Sequence, residues 1–189
     1  MQKKPRSPKK QKSQELTQHA IELSNTIGYA TQNPQNYEST FLNLAILMHL
    51  EEKGILSDSE EKKTIEKINH LKECLHDASL KIKDVSEIIQ KIVEDIQYHN
   101  PKAKIVSLLI ELENLIAINP LNGHDPKSIE EFQNHVAPLF MLLENSLSSI
   151  QIIAIHQELK EIKELIIDGT RPKDALEKLK IKSQNAFKK

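Results

Sequence analysis

Between Ser57 and Asn100 the chain contains neither glycine nor proline. Within that stretch Ile68, Leu71, Leu75, Ala78, Ile82, Val85, Ile89, Ile92 and Ile96 recur at alternating spacings of three and four residues. This is a heptad pattern held for about four repeats, the spacing that keeps one apolar stripe along an α-helix. It predicts a single helix of roughly 40 residues, about 60 Å long at 1.5 Å per residue, packed in coiled-coil fashion. Asp58, Glu60 and Glu61 fall in its first turn, where the helix dipole favours acids. The weak joint is Asp77–Ser79, where a break into two antiparallel helices would fall.

The rest of the chain is punctuated at few points, since it has only four glycines and eight prolines. That scarcity argues against a turn-dense β fold. A first helix is expected from about Gln14 to Thr26, with Leu16, Ala20, Leu23 and Ile27 on one stripe and Gly28 at its end. A second spans roughly Glu38–Lys53 and stops at Gly54. Phe41, Leu44, Ala45 and Met48 form one face there, and Leu42, Ile46, Leu47 and Leu50 widen it. A helix apolar over most of its circumference needs neighbours on several sides, which places this one at the centre of the fold.

Asn100–Pro101 reads as an N-cap followed by proline at the first helical position, opening a helix to about Ile118. Asn119–Asp125 reads as a loop. Asp125–Pro126 restarts a helix, with Ser128 and Glu131 at capping-box spacing. Pro138 then forces a kink or break near Ala137. A second long helix is expected from there to Asp168, closed by Gly169, and a short final helix follows Arg171–Pro172 to about Ile181. The expectation is an all-α, elongated antiparallel bundle over 14–181, with one or two helices of roughly 30–40 residues. A short α-solenoid is the alternative architecture, although no repeat at a solenoid period stands out.

The net charge of −1 conceals a segregation. Residues 1–12 carry six basic groups and no acid, residues 171–189 a net +5, and the body between them −12. The tail over 1–13, with Lys3, Lys4, Arg6, Lys9 and Lys10, is too polar to fold and is expected to be disordered, and 182–189 to fray. Such tails suit an anionic partner, either nucleic acid or an anionic membrane surface. Two arginines in the whole chain weigh against base-edge reading, and 4% aromatics against stacking on single strands.

Chemistry is sparsely signalled. His70, Cys74 and Asp77 lie at i, i+4 and i+7, so a continuous helix presents them on one face as weak candidate metal ligands. Glu73 and His76 add one Glu-x-x-His step, but the second such motif that a di-iron bundle uses is missing. His49 reads as a hydrogen-bonded core residue, and Asp125 beside His124 as a helix cap. There is no Walker A loop, dinucleotide-binding glycine run, His-Glu-x-x-His or Gly-x-Ser-x-Gly motif. No catalytic residue, metal centre or cofactor is expected.

The functional expectation is therefore a helical scaffold or adaptor working by protein–protein interaction or self-association. Its contact would run through the heptad seam or the face of Phe41, Leu44 and Met48. An electrostatic binder acting through the basic ends is the alternative. The single Cys74 and the absence of an apolar leader or a membrane-length apolar run point to the cytoplasm. Abundant Lys, Ile, Asn and Glu with few Arg, Gly or Trp suggest an AT-rich, bacterial genome. The lysine-rich C-terminal stretch, with Phe187 near its end, is similar to the secretion signals of some bacterial type IV effectors. That resemblance implies delivery into a host cell and action on a host protein.

Overall fold

The structure is a computed structural model that describes residues 14–31, 33–118 and 147–170, together with residues 130, 134, 143, 174, 175 and 177. Of these, 86% are helical and none lies in a strand. The continuous elements are α1 (Glu15–Ala30), a 3-10 turn (Pro34–Tyr37), α2 (Glu38–Glu52), α3 (Asp58–His76), α4 (Ile82–His99), α5 (Pro101–Ile118) and α6 (Ser149–Ile167). None of them is long and apolar enough to cross a membrane. The expected basic tail, the loop at 119–125, the Asp125–Pro126 restart, the Pro138 kink and the frayed end at 182–189 lie outside the described residues. Asp174, Ala175 and Glu177 are helical, where a final helix was expected.

Helix α2 occupies the centre. It packs against α1, α4 and α5, while α3 rests on α1 and α6 on α5. Contacts of α1 with α3 and of α2 with α4 also suit stacked helix pairs, but the contact of α2 with α5 reaches across the pair α3 and α4. This makes the fold a bundle rather than a solenoid, in which each unit touches only the next. Leu44, Ile46, Leu47 and Leu50 of α2 are buried on different sides, so the broad apolar circumference is used as the sequence suggested.

The single long helix over 57–100 is not formed. The chain reverses at Asp77–Ser79 because Ala78 adopts a left-handed conformation (φ +57°). The N–H groups of Ala78 and Ser79 then donate to the carbonyls of Leu75 (3.3 Å) and Cys74 (3.0 Å), which closes a Schellman cap. Packing explains why the break wins. A rod about 60 Å long would carry its stripe far beyond α1 and α2, which at 1.5 Å per residue are each only about 24 Å long. Folding back lays Ile68 and Leu71 of α3, and Val85, Ile89, Ile92 and Ile96 of α4, into the same core. The two halves keep one heptad phase but run in opposite directions.

The second expected long helix is also shorter. α6 starts at Ser149, because Ser148 and Gln151 form a capping box: the Ser148 hydroxyl accepts the Gln151 N–H at 3.3 Å, and the Gln151 side chain accepts the Ser148 N–H at 2.9 Å. In the other direction, α1 runs through Gly28 to Ala30, four residues past the end expected near Thr26. Gly54 (φ +64°) and Gly169 (φ +90°) supply the left-handed residues that end α2 and α6.

One polar side chain sits deep among these helices. Glu51, 2% exposed near the end of α2, accepts the N–H groups of Leu16 (2.9 Å) and Thr17 (2.8 Å) and the Thr17 hydroxyl. Gln14, at the N-cap position of α1, makes no side-chain cap. The first turn of α1 is thus capped by a carboxylate delivered from another helix, which also places negative charge at the positive end of its dipole.

Two outcomes are expected. Glu51→Ala should lower stability by about 2–3 kcal/mol, read from urea midpoints, because it strands buried N–H donors. Ala78→Gly should raise it by about 0.5–1 kcal/mol, because glycine holds a left-handed position without the Cβ clash.

Candidate interaction surface

The faces that the sequence offered to a partner are turned inward. Leu44 is buried, and Phe41 and Met48 are half-buried against the core. The heptad residues of α3 and α4 are likewise covered by α1, α2 and α5, with only Ala78 at the turn exposed. The face of Phe41, Leu44 and Met48 and the coiled-coil seam are therefore spent on the monomer's own core. Lys3, Lys4, Arg6, Lys9 and Lys10, and Phe187 at the other end, lie outside the described residues.

The candidate ligand cluster is only partly assembled. His70 and Cys74 share a helix face with Sγ 3.6 Å from Nε2, but Asp77 has left the helix. Its Oδ1 accepts the Ser79 N–H at 3.0 Å, and hydrogen bonding from the Ser79 side chain, then from this N–H, holds its carboxyl below the usual carboxylate range. Among the described residues no group of three or more His, Cys, Asp or Glu side chains is placed to hold a metal ion. His49, expected as a hydrogen-bonded core residue, is half-buried with Nδ1 3.2 Å from Glu52 Oε2 but lacks hydrogen-bond geometry there. Glu113 on α5 has its carboxyl pushed up by burial, against the opposing pull of His49 and Lys53.

Charged side chains tie neighbouring helices together. Lys72 on α3 donates to Glu22 Oε2 (2.7 Å) and lies 2.8 Å from His19 Nδ1, both on α1. The Lys72 bond, together with one from Gln18 Nε2 to Glu22 Oε1 (3.0 Å), draws the exposed Glu22 carboxyl down from 4.5 to about 2. Lys67 on α3 meets Asp95 on α4 at 3.6 Å, inside a polar groove of about 540 Å³ that Glu60, Lys63 and His99 also line. Acids and bases are interleaved in that groove, so it has no single-sign field to attract a charged ligand. Lys163 on α6 pairs with Glu111 on α5. A shallower cleft of about 400 Å³, floored by Leu75, Leu80 and Ile82, opens beside the Ala78 turn.

Among the described residues the large apolar side chains left exposed are Ile21 and Tyr29 on α1, Tyr98 on α4, and Ile150, Ile153 and Ile167 on α6, which alone carries three of them. That helix buries Ile155, Leu159, Ile162 and Ile166, and the helix it packs on is α5. On its opposite side Ile150 (80% exposed), Ile153 (67%) and Ile167 (59%) face solvent. Together with the exposed Gln157, Lys160 and Glu164 they form a second stripe spaced three and four residues apart. His156 flanks this stripe, and burial together with the cations of Lys104 and Lys160 lowers its pKa. Sequence reading missed this face because Ile150, Ile152, Ile153 and Ile155 surround the start of the helix, and periodicity alone does not say which side is covered. Compared with known protein families, curated proteins and solved structures, the chain matches none.

The Glu22 shift sets a pH dependence. A carboxyl whose folded pKa is depressed stabilises the fold fully above its unfolded value and loses that contribution as pH falls through the folded one. The stability difference between the native chain and Lys72→Met should therefore be constant above about pH 5 and shrink towards pH 2, measured as urea midpoints across that range.

Proposed function

We propose that this protein is a non-catalytic helical scaffold or adaptor that acts through protein–protein contact, with the outer face of α6 as its contact surface. The observation that carries this reading is the exposure of Ile150, Ile153 and Ile167 on one stripe of a helix whose opposite stripe is already buried. Apolar side chains grouped on one helix face and rimmed by polar ones are what helix-in-groove recognition uses. Contact of this kind is held by apolar burial and survives added salt, whereas binding through basic ends weakens steeply with it.

A photo-crosslinking residue placed at Ile153, in the full chain expressed in its own cells, should give a discrete adduct that persists in high salt and is lost with Ile150→Glu. The same residue at Lys62, exposed on α3, should give none. No adduct at Ile153, or equal labelling from both positions, would overturn the assignment. An adduct abolished by deleting residues 1–12 would move the function to the basic tail.

A further inference from the structure

We infer that the outer face of α6 pairs, antiparallel, with the same face of a second copy of this chain. This rests on reading that face as a contact surface and adds the identity of its occupant. The argument is self-complementarity. The exposed stripe reads Ile150, Ile153, Gln157, Lys160, Glu164, Ile167, with isoleucines at both ends and polar residues between them. In an antiparallel coiled coil the two kinds of seam position face each other across the pair. One register then sets Ile150 against Ile167 of the second copy, Ile153 against the methylene stem of its Glu164, and Gln157 against its Lys160.

In that register the two-fold axis passes between Glu158 and Leu159, at the middle of Ser149–Ile167. The two helices overlap along their whole length, and a two-fold contact of this kind closes on itself instead of propagating. The Lys160 ammonium of each copy donates to the Gln157 amide oxygen of the other, so the polar middle layer is satisfied twice. A parallel pairing would set Lys160 against Lys160 and Glu164 against Glu164, which like-charge repulsion disfavours. A lipid surface is a poorer occupant, since the centre of the stripe is polar and includes an acid.

Sedimentation equilibrium of the full chain should show a monomer–dimer equilibrium. Ile153→Glu should weaken it by about a hundredfold while leaving helical content by circular dichroism unchanged, because the side chain is exposed in the monomer. Gln157→Glu, facing Lys160 of the second copy, should tighten the dimer by about tenfold at low salt, and Gln157→Lys should weaken it. In a Cys74→Ala background, Ile150→Cys combined with Ile167→Cys should give a disulfide-linked dimer on mild oxidation, and Ile150→Cys alone should not.

A dimer untouched by Ile153→Glu, or efficient crosslinking by Ile150→Cys alone, would overturn this pairing. A strict monomer whose Ile153 photo-adduct contains a different protein would refute self-pairing and leave the interaction role standing. A strict monomer with no adduct would refute both.

Discussion

A helix that is apolar around most of its circumference can be kept from water only by neighbours on several sides, and α2 is such a helix. Leu44, Ile46, Leu47 and Leu50 point in different directions, and α1, α4 and α5 arrive to cover them. α1, α3, α4 and α6 each have a single dry stripe and could be satisfied in many arrangements; α2 has few, as does α5, which buries Ala103, Ile105, Leu109 and Leu112 around it. Once α2 is enclosed, α3 finds its place on α1, and α6 finds its place on α5. The arrangement of the whole follows from the least amphipathic helix in it.

The same demand decided the fate of the heptad stretch. Periodicity from Ile68 to Ile96 is real, and both halves use it, but a repeat in spacing carries no record of a reversal in direction. The signal for the reversal is local: Asp77 and Ser79 flank Ala78, the Ser79 N–H donates to the Asp77 carboxylate, and the Ser79 hydroxyl donates to the Cys74 carbonyl. Central placement of α2 and the buried stripe of α1 were legible from apolar spacing. The start of α6 was not, because apolar residues run on both sides of Ser148 and mask the capping box with Gln151. The face proposed for contact was passed over in sequence for a related reason. Phe41, Leu44 and Met48 are conspicuous in sequence because they belong to the helix that must be buried, while Ile150, Ile153 and Ile167 attract less notice among other isoleucines.

Electrostatics contribute alignment more than strength. Pairs such as Lys72 with Glu22, Lys67 with Asp95 and Lys163 with Glu111 each join two different helices at the rim of the core. Exposed or partly exposed pairs of this kind are worth about 0–1 kcal/mol each, so they fix register instead of holding the bundle together. They also use lysines to offset part of the body's excess acid at the places where helices meet.

The Glu51 carboxylate has a temporal consequence. During synthesis α1 emerges before α2, and its apolar stripe is complete early. Its opening N–H groups nevertheless lack their acceptor until the chain has grown by 35 more residues, the separation between Leu16 and Glu51. A lone helix of 16 residues is marginal in water. α1 therefore waits, fluctuating, for the later α2 to finish it, and the two helices become ordered as a unit rather than residue by residue.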